Sequence, residues 1–113
     1  MCIRDSDNVR LIEKAIWLES GTVPFMCHTD IGNPTAVQVP AVQLSDFIGD
    51  QTIDLLRLNL AGAEFHVIKN AVKALKNVSH LITEVHALPG QPPHLADLLC
   101  FLREHEFLSL IHI

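Results

Sequence analysis

The sequence predicts an α/β fold: a mainly parallel sheet with crossover helices and a β-rich excursion after the first strand. Three observations carry this. Residues 53–60 (Ile-Asp-Leu-Leu-Arg-Leu-Asn-Leu) are a nearly continuous apolar run, the mark of a strand buried on both faces of a parallel sheet. In residues 64–77, Phe65, Ile68, Val72 and Leu75 recur at helical spacing while Lys69, Lys73 and Lys76 take much of the remaining surface. Residues 81–86 (Leu-Ile-Thr-Glu-Val-His) read as a further strand. Strand–helix–strand alternation implies parallel pairing through a right-handed crossover.

The other elements follow in chain order. Residues 9–17 are β-branched and apolar enough for a first strand, and 18–21 form a turn in which Gly21 supplies the permissive backbone. Residues 22–26 suit a short strand, confined to an edge by Pro24, and 37–42 alternate and are edge-like because of Pro40. Between them His28 to Pro34 is loop, rich in turn residues; Asp30-Ile31-Gly32 within it reads as a turn rather than a phosphate-type glycine loop, having no helix behind it. Residues 44–49 look like one helical turn with Ser45 as N-cap and Gly49 as stop. Ala61-Gly62-Ala63 bends the chain after the central strand. Glu64 in the first turn of its helix and lysines in the last suit the helix dipole. Residues 89–93 are a loop that places Pro93 at the first position of a final helix, whose stripe is Leu95, Leu98, Leu99 and Leu102.

Composition sets outer bounds. At 113 residues there is room for one domain, and 49% hydrophobic residues exclude a disordered chain. A net charge of −5 lacks the clustered Lys and Arg of a nucleic-acid interface. No apolar run approaches the roughly 20 residues of a membrane span. Three cysteines without framework spacing fit a reducing compartment, so a cytoplasmic location is expected, with an upstream signal or anchor left open. Asn77-Val78-Ser79 has the form of a glycosylation acceptor, a triplet common by chance.

The two ends stand apart. Residues 1–6 can be written in DNA as ATG TGT ATA AGA GAC AG and residues 108–113 as CTG TCT CTT ATA CAC AT, each the reverse complement of the other. They resemble the mosaic end of a transposase used to prepare sequencing libraries. Both are read as translated adaptor, leaving 7–107 as the natural stretch and removing Cys2 and His112 from any site.

Within that stretch, residues 39–48 (Val-Pro-Ala-Val-Gln-Leu-Ser-Asp-Phe-Ile), 53–64 (Ile-Asp-Leu-Leu-Arg-Leu-Asn-Leu-Ala-Gly-Ala-Glu), 67–71 (Val-Ile-Lys-Asn-Ala) and 83–86 (Thr-Glu-Val-His) resemble the FkbM-type methyltransferase domain in content and order. The resemblance implies a partial Rossmann-like methyltransferase fold, of which this stretch would be the C-terminal half. It implies S-adenosylmethionine as methyl donor and a hydroxyl on a sugar, polyketide or other small metabolite as acceptor. It also implies that the main glycine-rich cofactor loop and the ribose-holding acid lie outside this chain. Where the family favours Lys-x-Asp-x-Glu-Gly, this chain has Arg57, Asn59, Ala61 and Gly62, so a catalytically silent binding module of the same fold remains an alternative. An unrelated flavodoxin-like α/β domain is a third.

Ligands of parallel sheets collect beyond the carboxyl ends of the strands. That places Asn59 at the end of the central strand as a contact to substrate or cofactor, or as a helix cap. Glu84 and His86, two apart on one strand, would face the same way, with the carboxylate orienting a histidine able to act as base. Ala15 and Ile16 could touch adenine by resemblance, or be plain core. Glu64 is expected to serve structure, as favourable charge at a helix N-terminus. His28, His66, His80, His94 and His105 lack metal-ligand spacing, and no metal site is expected. Cys27 and Cys100 are expected as buried hydrophobes.

Overall fold

A computed structural model describes residues 7–27, 35–92 and 94–107. Among these residues the architecture is mixed α/β, with two small sheets and four helices. The first sheet holds β1 (Ala15–Trp17), β2 (Gly21–Cys27) and β3 (Thr35–Gln43) in the order β1-β3-β2. β1 runs parallel to β3, and β2 pairs antiparallel with it from Gly21↔Ala41 to Cys27↔Thr35. The chain then makes α1 (Leu44–Ile48), β4 (Ile53–Leu58), α2 (Glu64–Asn70), α3 (Val72–Leu75), β5 (Val78–Thr83) and α4 (Leu95–Glu104). β4 and β5 form the second sheet, parallel, from Ile53↔Val78 to Leu58↔Thr83. The strand–helix–strand unit read from the sequence is therefore present with parallel pairing.

Several expectations are corrected. The single, mainly parallel sheet is two sheets, one of them partly antiparallel, because no described hydrogen bond joins β1 to β4. The first strand begins at Ala15 rather than at residue 9: pairing with β3 starts at Ala15↔Ala41, and just before it the Lys14 N–H turns back onto the Ile12 carbonyl at 2.9 Å. β3 is the middle strand of its sheet, not an edge. Pro40 is tolerated there because β1 pairs only with the last three residues, leaving Pro40 a neighbour on one side alone. Ser45 does not cap α1: Gln43 is the N-cap, and the Ser45 hydroxyl meets the Gln43 side chain at 3.3 Å. Gly49 does close that helix, at φ +55°, its N–H donating to the Ser45 carbonyl.

The helix of residues 64–77 is split at Ala71, whose N–H is shared between the Val67 and Ile68 carbonyls. β5 starts and ends three residues earlier than the hydrophobic run suggests, because pairing begins where the Ile53 N–H reaches the Asn77 carbonyl at 2.8 Å. α4 opens at Leu95 with His94 as its N-cap, so its first position falls at Leu95 rather than at residue 93; the place of Pro93 lies outside the described residues, as do those of His28 and of the turn at 30–32.

One core joins the elements. Leu44 and Ile48 of α1, Leu58 of β4, Val67, Ile68, Ala71, Ala74 and Leu75 of the α2–α3 segment, Val78 of β5, and Leu98 and Leu102 of α4 form a single buried cluster. α1 packs on α2 and α3, and α2 on α4. Of the α4 stripe, Leu98 and Leu102 are buried, whereas Leu95 is exposed. β4 is not buried on both faces. Leu56 and Leu58 look into the core, but Leu55 is exposed, as is Ile82 across the pair from Arg57. Phe25, Met26 and Val37 are likewise exposed on the β2–β3 hairpin. Cys100 is exposed rather than buried, on the outer side of α4; the Cys27 side chain is outside the described set.

Candidate functional site

The carboxyl ends of β4 and β5 lie side by side, so the segments that follow them meet. After Leu58 the chain passes Asn59 and Leu60 and turns at Ala61 and Gly62, at φ +50° and +110°. Positive φ at both central positions, with the Ala63 N–H reaching the Leu60 carbonyl at 3.3 Å, is the sign pattern of a type I′ turn. Gly62 meets that demand without strain, and a Cβ on it would lie 2.7 Å from Leu88 Cγ. Glu64 then opens α2.

Glu64 is 1% exposed, the buried charged side chain among the described residues. Its Oε1 accepts from the Leu60 N–H at 2.9 Å and the Gly62 N–H at 3.2 Å, and its Oε2 from the Gly62 N–H at 3.0 Å. His86 Nδ1 lies 2.8 Å from the same Oε1. Burial works to raise the carboxyl group's pKa. The bonds from its own N–H, from Gly62, from His86 and from Leu60 outweigh it, and the net result is a value below the ordinary 4.5. Glu64 therefore stands ionised at neutral pH. It was expected only as helix-dipole charge; its local signature is a Glu placed just after a glycine turn rich in free N–H groups.

The expected pairing of Glu84 with His86 is corrected. β5 ends at Thr83, so both lie in the segment beyond the strand, and each finds a different partner. The Glu84 carboxylate takes Arg57 Nη2 of β4 at 2.8 Å and Nδ2 of Asn59, the residue after β4, at 3.3 Å, while the Glu84 N–H donates to the Leu58 carbonyl. Arg57 and Glu84 are both more than half exposed, so water screens the pair and it contributes about 0–1 kcal/mol. The carboxylate in contact with His86 is Glu64. Asn59 does not cap α2, whose N-cap is Ala63.

The remaining candidates are elsewhere. Ala15 and Ile16 are half-buried in β1, in the other sheet, pairing with Ala41 and Val42. Ile16 packs against the core. Thr83 Oγ1, at the end of β5, is a buried hydroxyl with no hydrogen-bond partner among the described residues. His66 and His94 cluster instead with Phe65, ring centroids 5.2–5.6 Å apart, on the α2–α4 side. Among the described residues no group of three or more His, Cys, Asp or Glu side chains could hold a metal ion. No helix of the described residues is long and apolar enough to cross a membrane.

Compared with known proteins, the chain matches the family model described as the methyltransferase FkbM domain over residues 15–109. No curated protein and no solved structure matches it.

Proposed function

Because the chain belongs to the FkbM methyltransferase family, we propose that it is the C-terminal half of an S-adenosylmethionine-dependent O-methyltransferase acting on a hydroxyl of a small metabolite. The observation that carries the reading is the family match over residues 15–109, with two polar pairs, Asn59–Glu84 and Glu64–His86, just beyond the paired carboxyl ends of β4 and β5. In this reading the two sheets belong to one Rossmann-like sheet completed by strands outside residues 7–107, and the termini 1–6 and 108–113 are adaptor. Exposed Leu55, Ile82, Phe25 and Val37 support it, since apolar sheet faces of this kind are ordinarily covered.

The donor supplies an electrophilic methyl on a sulfonium. Ala15 and Ile16 present the half-buried apolar surface that an adenine ring takes, and Thr83 Oγ1 is a hydroxyl with no bonding partner among the described residues, so the residues fit part of such a ligand. His86 Nε2 would take the acceptor's hydroxyl proton. Asn59 and Glu84, held to one another, would orient the acceptor by hydrogen bonds. Asn59 and Ala61, in place of the carboxylates the family favours, keep a silent binding module as the second reading. In the proposed setting the enzyme works in the cytoplasm.

Isothermal titration with S-adenosylmethionine tests the proposal. The 113-residue chain should show no measurable binding, since few contacts would have to immobilise a flexible ligand alone. The chain extended upstream in its own reading frame should bind and methylate hydroxyl acceptors. Micromolar binding by the short chain would refute the division into halves. Binding without transfer by the extended chain would favour the silent module.

A further inference from the structure

Burying a carboxylate is costly unless hydrogen bonds replace its water. Glu64 has them from two directions: the Leu60 and Gly62 N–H groups of the turn behind it, and His86 from the segment after β5. Bracing the turn would need only the first set. The second fixes a ring. An ionised carboxylate can only accept, so His86 Nδ1 must carry the hydrogen in the 2.8 Å bond. A neutral imidazole holds one ring hydrogen, which leaves Nε2 with its lone pair. No described residue bonds Nε2, and the His86 side chain is 39% exposed.

We propose that Glu64 is the positioning residue of this site: its buried carboxylate selects the Nδ1–H form of His86 and so presents Nε2 as the proton acceptor. The inference rests on the methyl-transfer reading above. In the reaction the acceptor's O–H bond breaks and its proton goes to Nε2. The oxygen forms a bond to the sulfonium methyl, and the carbon–sulfur bond breaks with its electron pair passing to sulfur, which leaves as a neutral thioether. As the ring becomes an imidazolium, the Glu64 charge beside Nδ1 stabilises it. Asn59 and Glu84 stand outside this pair. One continuous set of bonds then runs from the 60–62 turn through Glu64 to His86, so the turn geometry and the base are set together.

Nitrogen NMR of the histidine side chains in the full 113-residue chain tests this without substrate, because the shifts of the two ring nitrogens report which carries the hydrogen. Neutral His86 should show Nδ1–H in the native chain and shift towards Nε2–H, the form free histidine favours, in Glu64→Ala. A native Nε2–H ring, or a tautomer unchanged in a folded Glu64→Ala variant, overturns the proposal. Should Glu64→Ala not fold, His86→Ala reads the same coupling from the other side. The Glu64 carboxyl should titrate below the ordinary range in the native chain and closer to 4.5 in that variant; an unmoved titration overturns the proposal. These outcomes are independent of cofactor titration, whose failure would remove the methyl-transfer reading and leave the tautomer result standing.

Discussion

Replacing Glu64 with Gln keeps shape and removes charge, and the structure sets the cost. The carboxylate accepts from Leu60 N–H, from Gly62 N–H through both oxygens, and from His86 Nδ1. A glutamine oxygen placed at the Oε1 position keeps three of these contacts but turns its NH₂ group onto the Gly62 N–H at about 3.0 Å, donor against donor. The flipped amide instead sets NH₂ against the Leu60 N–H. Either way one buried donor is left facing another, worth about 1–3 kcal/mol, and the surviving bonds lose their charge assistance, roughly 1 kcal/mol more. We therefore expect Glu64→Gln to lower stability by about 2–4 kcal/mol at pH 7, read as a fall in the urea midpoint at unchanged slope.

The loss should depend on pH. Because the folded carboxyl titrates below its unfolded value of 4.5, the unfolded chain binds more protons in that window. The native advantage is thus complete above about pH 5.5 and shrinks as pH falls through the depressed folded value. A difference under about 0.5 kcal/mol at pH 7, or one that stays flat down to pH 3, would refute the reasoning.

Gly62→Ala should cost about 1–3 kcal/mol in urea unfolding, since φ +110° is strained for any L side chain and Leu88 must move aside as well; Ala61→Asn at φ +50° should be neutral or slightly stabilising, Asn being among the residues that tolerate this region. Thr83→Val removes a buried hydroxyl without a partner at nearly constant shape and should raise the melting temperature, by the equivalent of about 1 kcal/mol. A lowered melting temperature would show that Oγ1 is bonded in solution. Removing residues 1–6 and 108–113 together should leave the melting temperature unchanged by circular dichroism, and a loss of several degrees would show that they belong to the fold.

Sequence periodicity located the α2–α3 segment, α4, β4 and β5 because each has to hide an apolar side, and Ile68, Leu75, Leu98 and Leu58 do so. It misplaced what pairing decides. The ends of β5 follow from the register Ile53↔Val78, and nothing local to Val78-Ser79-His80 announces it. The start of β1 follows from the local turn at Ile12–Lys14 and the register Ala15↔Ala41, and the split at Ala71 has no Gly or Pro to mark it. The apolar composition of β4 suggested two covered faces, but composition does not say whether a cover is supplied, and among the described residues none covers Leu55. In the site, the neighbourhood of Asn59, Glu84 and His86 was legible from the strand ends. The exchange of partners was not, because it turns on where β5 stops: two residues spaced for one face of a strand lose that relation once the strand ends before them.

The division into two hydrogen-bonded ladders has a consequence for the order of assembly. β2 and β3 pair closely in sequence, from Cys27↔Thr35 outward, so their zipper can close with little loss of chain entropy. β4 and β5 meet only after the whole helical crossover between them has been gathered in, and β1 reaches β3 only across the finished hairpin. Non-local parallel contacts of this kind form late and slowly. Since the site lies beyond the ends of β4 and β5, His86 can reach Glu64 only in the last stage of folding, and a chain arrested with its hairpin made would carry strand signal and no assembled site.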